Sequence, residues 1–355
     1  MIIQTPIAQL IINWFHFYGR KELPWKKTNK IYKIWISEIM LQRTKVSTVI
    51  PFYNKFIKKF PSFKKLEKSN LNQILYYWSG LGYYSRAHNI YKSVKIIKKK
   101  HSGKLPNTIK DLIKLPGIGK TTAGAILSFS INSFVSILDS NIERVLKRFY
   151  YIKNINTNNN YKKYLWKVIE KITPIQQTNK FNQGIMDIGS LICTPINPKC
   201  IICPLKNFCI SYKKKIIYIK KSNNYKKNIV LKKYFMIILQ NKNYVFLEKR
   251  KKNKIWNQLF CFPSFLSIKN IKKWLIEKKI QIKKIKKLKK IIHKLSNFNM
   301  LIIPIIVLCK KKNIYNLNKL SNNYIWFNLL KNDKIAVPSP IKKILLNINK
   351  YIREK

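Results

Sequence analysis

The sequence predicts a mostly helical domain followed by a smaller domain of mixed α+β character. Three observations carry this. Apolar residues recur at helical spacing in "IYKIWISEIMLQRTKVSTVIPFYNKF", "LNQILYYW" and "NIERVLKRFYYI". Four cysteines crowd into residues 193–209, where that pattern stops. From residue 232 the apolar runs shorten and favour β-branched and aromatic residues, as in "YFMIIL" and "YVFLEKR". The division is a helical domain over 1–212, a basic, low-complexity linker over 213–231 and a second domain over 232–355.

A chain of 355 residues is long enough for two such cores. Its 73 Lys and Arg against 12 Asp and Glu give a net charge of +61, a field that attracts polyanions, nucleic acid first. The abundance of Lys, Ile, Asn, Tyr and Phe is also what an AT-rich coding sequence produces, so charge suggests nucleic acid without establishing it. No apolar run is long enough to span a bilayer; "LIIPIIVL" (301–308) reads as a buried strand. The first residues open a helix, with Thr5 as cap, Pro6 in the first turn, and Ile7, Leu10, Ile11 and Trp14 on one face. They lack the basic-then-apolar order of an export signal, so a cytoplasmic protein is expected.

The cysteines in "CTPINPKCIICPLKNFC" are Cys193, Cys200, Cys203 and Cys209, spaced C-x6-C-x2-C-x5-C. In a chain read as cytoplasmic, such a cluster is a metal site rather than a pair of disulfides. Zinc ribbons usually show two separate C-x2-C knuckles. One close pair with two unequal outliers is nearer to iron–sulfur ligation, so a 4Fe–4S cluster leads and zinc stays open. Cys261 and Cys309 sit in apolar strand-like segments and read as core.

"LPGIGKTTAG" (115–124) lies between two helical segments. A helix, a Gly-x-Gly turn and a helix N-terminus form a helix-hairpin-helix. Gly117 and Gly119 permit positive φ and close approach, and free N–H groups at the second helix face an anion such as a DNA phosphate. Lys120 adds charge beside them. With so few acids in the chain, Glu38 stands out among Trp35, Ile36, Ile39, Met40 and Leu41, where its pKa is expected to rise. Asp139, in "ILDSN", precedes a helix and reads as an N-cap that also faces a site.

The hairpin, the aspartate after it and the cysteine spacing together resemble the helix-hairpin-helix DNA glycosylases of the endonuclease III superfamily. "SEIMLQRTKV" (37–46), "GLGYYSRA" (80–87), "FNQGIMDIG" (181–189) and the strand-rich second domain bring the resemblance to the adenine-specific branch. The resemblance implies a monofunctional, monomeric base-excision enzyme acting on double-stranded DNA with adenine opposite 8-oxoguanine or guanine. It implies a 4Fe–4S cluster on the four cysteines, Glu38 as the acid that protonates adenine, and Asp139 as the carboxylate that stabilises the sugar cation. Leu23, Trp25, Leu41, Gln183 and Asp187 would line or approach the adenine pocket. Gln42, Arg43, Tyr83, Thr122 and the hairpin residues Gly117, Gly119 and Lys120 would meet DNA. Relatives that also cleave the strand carry a lysine one position after Lys120. Here that position is Thr121, and one helical residue is about 100° of rotation, so Lys120 is expected at phosphate rather than at the sugar.

The second domain is similar to a Nudix domain that reads 8-oxoguanine, with Ser296 in the sensing loop. It lacks the glutamate-rich helix of a nucleotide hydrolase, offering only Glu277. The chain departs from the family at Arg43, a glutamine there; at Ser140, a glycine there; at Glu143, a lysine there; and at Asn297, a histidine there. Two other readings stay open at this level. One is a glycosylase that also cleaves the strand at oxidised pyrimidines. The other is a cluster-bearing DNA-binding protein without catalysis.

Overall fold

The computed structural model describes residues 6–152, 158–216, 230–251, 254–295, 297–310, 323–331 and 334–353. Thr5, most of the basic linker and Ser296 lie outside the described residues. The chain divides into two compact units, Met1–Ser69 with His88–Asn224, and Asn70–Ala87 with Tyr225–Lys355.

The first unit is helical. It contains α1 (Pro6–Tyr18), α2 (Ile31–Leu41), α3 (Val46–Lys59) and α4 (Phe63–Glu67). After α5 (Leu71–Trp78), which belongs to the other unit, come α6 (Ser85–Lys100), α7 (Ile109–Leu112) and α8 (Lys120–Ile131). Then follow α9 (Ser140–Phe149), α10 (Asn158–Ile172), α11 (Thr178–Leu191) and the short α12 (Ile210–Lys213). Helix α1 buries Ile7, Ala8, Ile11, Ile12 and Phe15, a stripe at i, i+4 spacing that includes two of the four residues expected there. It packs on α11, where Gly184 leaves room for Ile11. The core continues through Ile142, Leu146, Leu165, Phe181, Ile185 and Ile188 to Leu205, with Cys193, Cys203 and Cys209 packed against its end.

The second unit holds a mixed sheet. Its elements are β1 (Leu231–Asn241), β2 (Tyr244–Lys249), β3 (Phe260–Cys261), β4 (Ser264–Phe265), α13 (Ile268–Glu277), β5 (Ile282–Lys287), β6 (Ile291–Lys294), β7 (Asn299–Cys309), β8 (Tyr324–Asn328) and α14 (Ser339–Arg353). The path runs β3-β2-β1-β7-β5, with β1 and β7 parallel and the other pairs antiparallel. The core joins Phe235, Ile237, Leu239, Phe246 and Val307 to Ile271 and Leu275 of α13. Cys261 and Cys309 are buried.

Strand β7 contains Pro304. In a strand, one residue's N–H and C=O point to the same neighbour. The Pro304 carbonyl accepts from the Leu288 N–H at 3.0 Å, so the missing donor falls on that side. There the outer strand breaks: β5 pairs as far as Ile305, and β6 resumes opposite Ile302. Neither β5 nor β6 was expected from the sequence, because "IKKIKK" has no apolar alternation that marks a half-buried strand.

Candidate active site

Three helix ends build the site. Helix α2 is buried on nearly every side through Tyr32, Ile34, Trp35, Ile36, Ser37, Ile39 and Met40, and Glu38 interrupts that apolar run. The α7–α8 hairpin turns at Gly117, whose φ of +80° demands glycine. Gly119 differs from expectation. It caps α8 in extended backbone (φ −99°), and its use is open space, since a Cβ there would meet nothing within 4 Å. No side chain caps α8, so the exposed turn leaves its first N–H groups open to an anion. Helix α9 begins at Asp139, which accepts from the Asn141 N–H at 3.0 Å, the Ile142 N–H at 2.8 Å and Asn141 Nδ2 at 2.8 Å.

Glu38 and Asp139 line one cavity of about 510 Å³. Leu23, Trp25, Leu41, Gln42, Arg43, Thr122, Gln183 and Asp187 also line it, so the structure gathers most of the residues singled out from the sequence. Burial, with the Asp139 charge adding to it and Lys26 opposing it, pushes the Glu38 carboxyl up to about 7. The Asp139 carboxyl is also raised by burial, against the pull of its Ile142 and Asn141 donors. Asp187 is 2% exposed and held by two cations: Arg20 Nε donates to it at 2.9 Å and Lys26 Nζ lies 3.0 Å away. Glu38 does not take Lys26 as an ion-pair partner. Arg43 stands at φ +56°, a left-handed conformation that turns the chain out of α2, and is exposed. Gln42 Nε2 donates to the Gly117 carbonyl at 3.0 Å and so ties α2 to the hairpin.

Register in the hairpin has a clear outcome. Thr121 lines the cavity and donates to the Leu138 carbonyl at 2.8 Å, fixing the backbone just before Asp139. Lys120 is not among the lining residues; its Nζ lies 2.9 Å from Glu170 and 3.9 Å from the centre of the Trp166 ring. Tyr83 belongs to the second unit. It is 44% exposed at φ +47°, with the Arg86 guanidinium 5.4 Å from its ring. Asn297 is exposed in the tight turn between β6 and β7.

Sequence reasoning missed Asn141, Arg144, Arg148 and Gly189. Arg144 donates through Nη2 to Asn141 Oδ1 at 2.9 Å and through Nε to the Cys193 carbonyl at 2.7 Å. Arg148 donates to Cys193 Sγ at 3.3 Å and to the Thr194 carbonyl at 2.7 Å. Gly189 lets α11 approach α9, since a Cβ there would stand 2.9 Å from the Asn141 carbonyl. These residues connect the Asp139 cap to the cysteine loop. The readable signal was an arginine pair at i, i+4 upstream of four thiolates.

Cys193, Cys200, Cys203 and Cys209 line a second, apolar cavity of about 40 Å³ together with Arg148 and Lys206. None of the four is in a disulfide. Among the described residues no three His, Cys, Asp or Glu converge closely enough to hold a single metal ion. Four soft ligands around a cavity rather than a point fit a cluster of several metal atoms better than one zinc. The flanking arginines would offset part of its thiolate charge.

Three family models match. Residues 36–171 match the HhH-GPD superfamily of base excision DNA repair proteins, 193–209 the iron–sulfur binding domain of endonuclease III, and 234–347 the NUDIX domain. An adenine DNA glycosylase of Buchnera aphidicola subsp. Baizongia pistaciae is 52% identical over 97% of both chains. That of Homo sapiens is 31% identical over 58% of this chain and 39% of its own. Among solved structures, a thermostable thymine-DNA glycosylase is 30% identical with a TM-score of 0.54, covering 59% of this chain and 95% of that one. A trapped endonuclease III–DNA covalent intermediate, 21% identical with a TM-score of 0.50 over 61% of this chain and 99% of that one, shares the helical fold.

Proposed function

Since the chain belongs to the adenine DNA glycosylase family, we propose that it hydrolyses the N-glycosidic bond of adenine mispaired with 8-oxoguanine or guanine in double-stranded DNA. One observation carries the reading: a carboxyl that titrates near 7 and a second carboxyl at a helix cap line the same cavity.

The adenine leaves the stack and enters the cavity. Glu38, whose carboxyl burial pushes up to about 7, gives its proton to adenine N7. The C1′–N9 bond then breaks and its electron pair leaves with the base. The cation left on the sugar faces Asp139, whose three donors favour the charged carboxylate. Water adds at C1′ and releases a proton, so water enters, adenine departs and an abasic site remains. Thr121 supplies no amine where strand-cleaving relatives carry one, so the enzyme is monofunctional. The Asp187–Arg20–Lys26 group and Gln183 supply polar contacts to the base edge. Gly117, Gly119, Thr122 and Arg43 meet the DNA backbone. Lys120 joins them once phosphate displaces Glu170.

Cys193, Cys200, Cys203 and Cys209 would hold a 4Fe–4S cluster as thiolates, and the bound group would tie the 193–209 loop together. The second unit reads the base opposite adenine through Ser296 and Asn297, and the chain works as a cytoplasmic monomer.

Single-turnover release of adenine from a duplex with adenine opposite 8-oxoguanine tests the reading, run with and without hot alkali. Strand breaks only after alkali support it. Breaks without alkali would mean that an amine attacks the sugar, and tight binding without product would mean a non-catalytic binder.

A further inference from the structure

Strands β5 and β6 run one after the other beside β7 and form one outer edge of the sheet, with β5 at the end of the strand path. Lys283, Lys284, Lys286 and Lys287 occupy β5, and Lys289 and Lys290 the connection. All six are exposed, as is every residue of β5 on both faces of the strand. No Asp or Glu occurs in the sequence between Glu277 and Asp333.

A lysine or two on an open edge is enough to block pairing with another sheet. Six on one short edge, without an intervening acid, do more than that. Residues 282–294 lie opposite Cys309 to Asn299 of β7, so at about 3.3 Å per residue the edge spans about 33 Å. That is about one turn of duplex DNA, about 34 Å, which presents one phosphate charge per about 1.7 Å of axis. A lysine row with no side chains arranged to read bases suits backbone contact independent of sequence.

We propose that the β5–β6 edge is a docking surface for the sugar–phosphate backbone of double-stranded DNA, and that it holds the enzyme on undamaged duplex. The choice of DNA as the polyanion rests on the repair role proposed above. None of its residues lines the cavity or belongs to the α7–α8 hairpin.

The test uses the full-length, cluster-loaded protein and an undamaged DNA duplex, with affinity measured by anisotropy across a salt series. One variant carries K283Q, K284Q, K286Q and K287Q. A second carries K289Q and K290Q, outside the strands, and covers the case in which the first fails to fold. A control removes equal charge elsewhere in the same unit with K269Q, K272Q, K273Q and K342Q. The quadruple edge variant is expected to bind at least tenfold more weakly at low salt. The slope of log affinity against log salt should become shallower by about 2–4, from about 0.9 per lost phosphate contact. The double variant should lose about 1–2 of slope and the control less than threefold in affinity. Equal losses in edge and control variants would assign the effect to bulk charge and overturn the proposal, as would no loss in either. Loss of affinity for an RNA duplex alone would overturn the choice of partner. Adenine release at saturating enzyme, unchanged in every variant, reports on the active site separately. A wild-type protein that binds duplex through this edge but releases no adenine would sink the glycosylase reading and leave the surface standing.

Discussion

In α2, Glu38 stands among Ile36, Ile39 and Met40 and accepts no hydrogen bond among the described residues. At the start of α9, Asp139 accepts from three donors in the same cavity. Burial raises both carboxyls, but at Asp139 donors pull the other way, and at Glu38 only the Lys26 charge does. The contrast lies in the donors: they oppose the rise at Asp139 and are missing at Glu38. A carboxyl without donors in apolar surroundings stays neutral; a carboxyl on helix N–H groups carries charge.

Removing the acid without the shape tests this contrast hardest. Glu38→Gln should lower single-turnover adenine release by about 10²–10⁴-fold and leave duplex binding intact. It should also stabilise the fold. The Glu38 pKa rises from the ordinary glutamate value of 4.5 to about 7, so the fold holds its proton more tightly than the unfolded chain does. The cost of ionising it is absent below about pH 4, grows as pH rises through 4.5 to 7, and is complete above that. Thermal melts should therefore show a variant advantage of about 1–3 kcal/mol at pH 8 that vanishes at pH 4. An advantage that does not change with pH would mean that Glu38 is not buried as a neutral acid.

Asp139→Asn is the complementary break. Asn still caps a helix, so the melting temperature should hold, while release falls by about 10²–10³-fold from loss of the charge facing the cation. A large fall in melting temperature with a small fall in rate would make Asp139 only a cap. The pH profile of the wild-type rate sharpens the pair further. Release should decline as pH rises through about 7, where Glu38 loses its proton.

Gly189→Ala tests the support beneath Asp139. A methyl group 2.9 Å from the Asn141 carbonyl must push α9 or α11 aside, and Asn141 holds Asp139. Release should fall about tenfold, with a loss of about 1–3 kcal/mol in stability. Lys120→Gln should have the smallest effect. Its pair with Glu170 is half-exposed on both sides and worth under about 1 kcal/mol. Release at saturation should not change, and the salt slope for binding should fall by no more than about 0.9.

Local spacing was enough to find several features. The hairpin needs a positive φ at Gly117, the thiolates need short loops between them, and an acid inside an apolar helix is visible in a dozen letters. The register distinction between Lys120 and Thr121 also follows from helical rotation. What escaped notice joins residues far apart in the chain. Arg20 and Lys26 reach Asp187 across more than 160 positions. Arg144 and Gly189 brace Asn141 across α9 and α11. The basic outer strand had no apolar pattern to announce it, because neither of its faces is buried.

By itself the sequence determined the helical character of the first domain and singled out the four closely spaced cysteines and the two acids. Each depends on residues within a few turns of one another, where backbone geometry alone sets direction. Only the tertiary structure decided that the two acids share one cavity, that Asp187 is matched by two cations, that residues 70–87 cluster with the second unit, and that the lysine-rich segment is a sheet edge. Those outcomes depend on which apolar faces meet when helices and strands pack. Packing sums many weak contacts between distant segments, and no single stretch of sequence contains that sum.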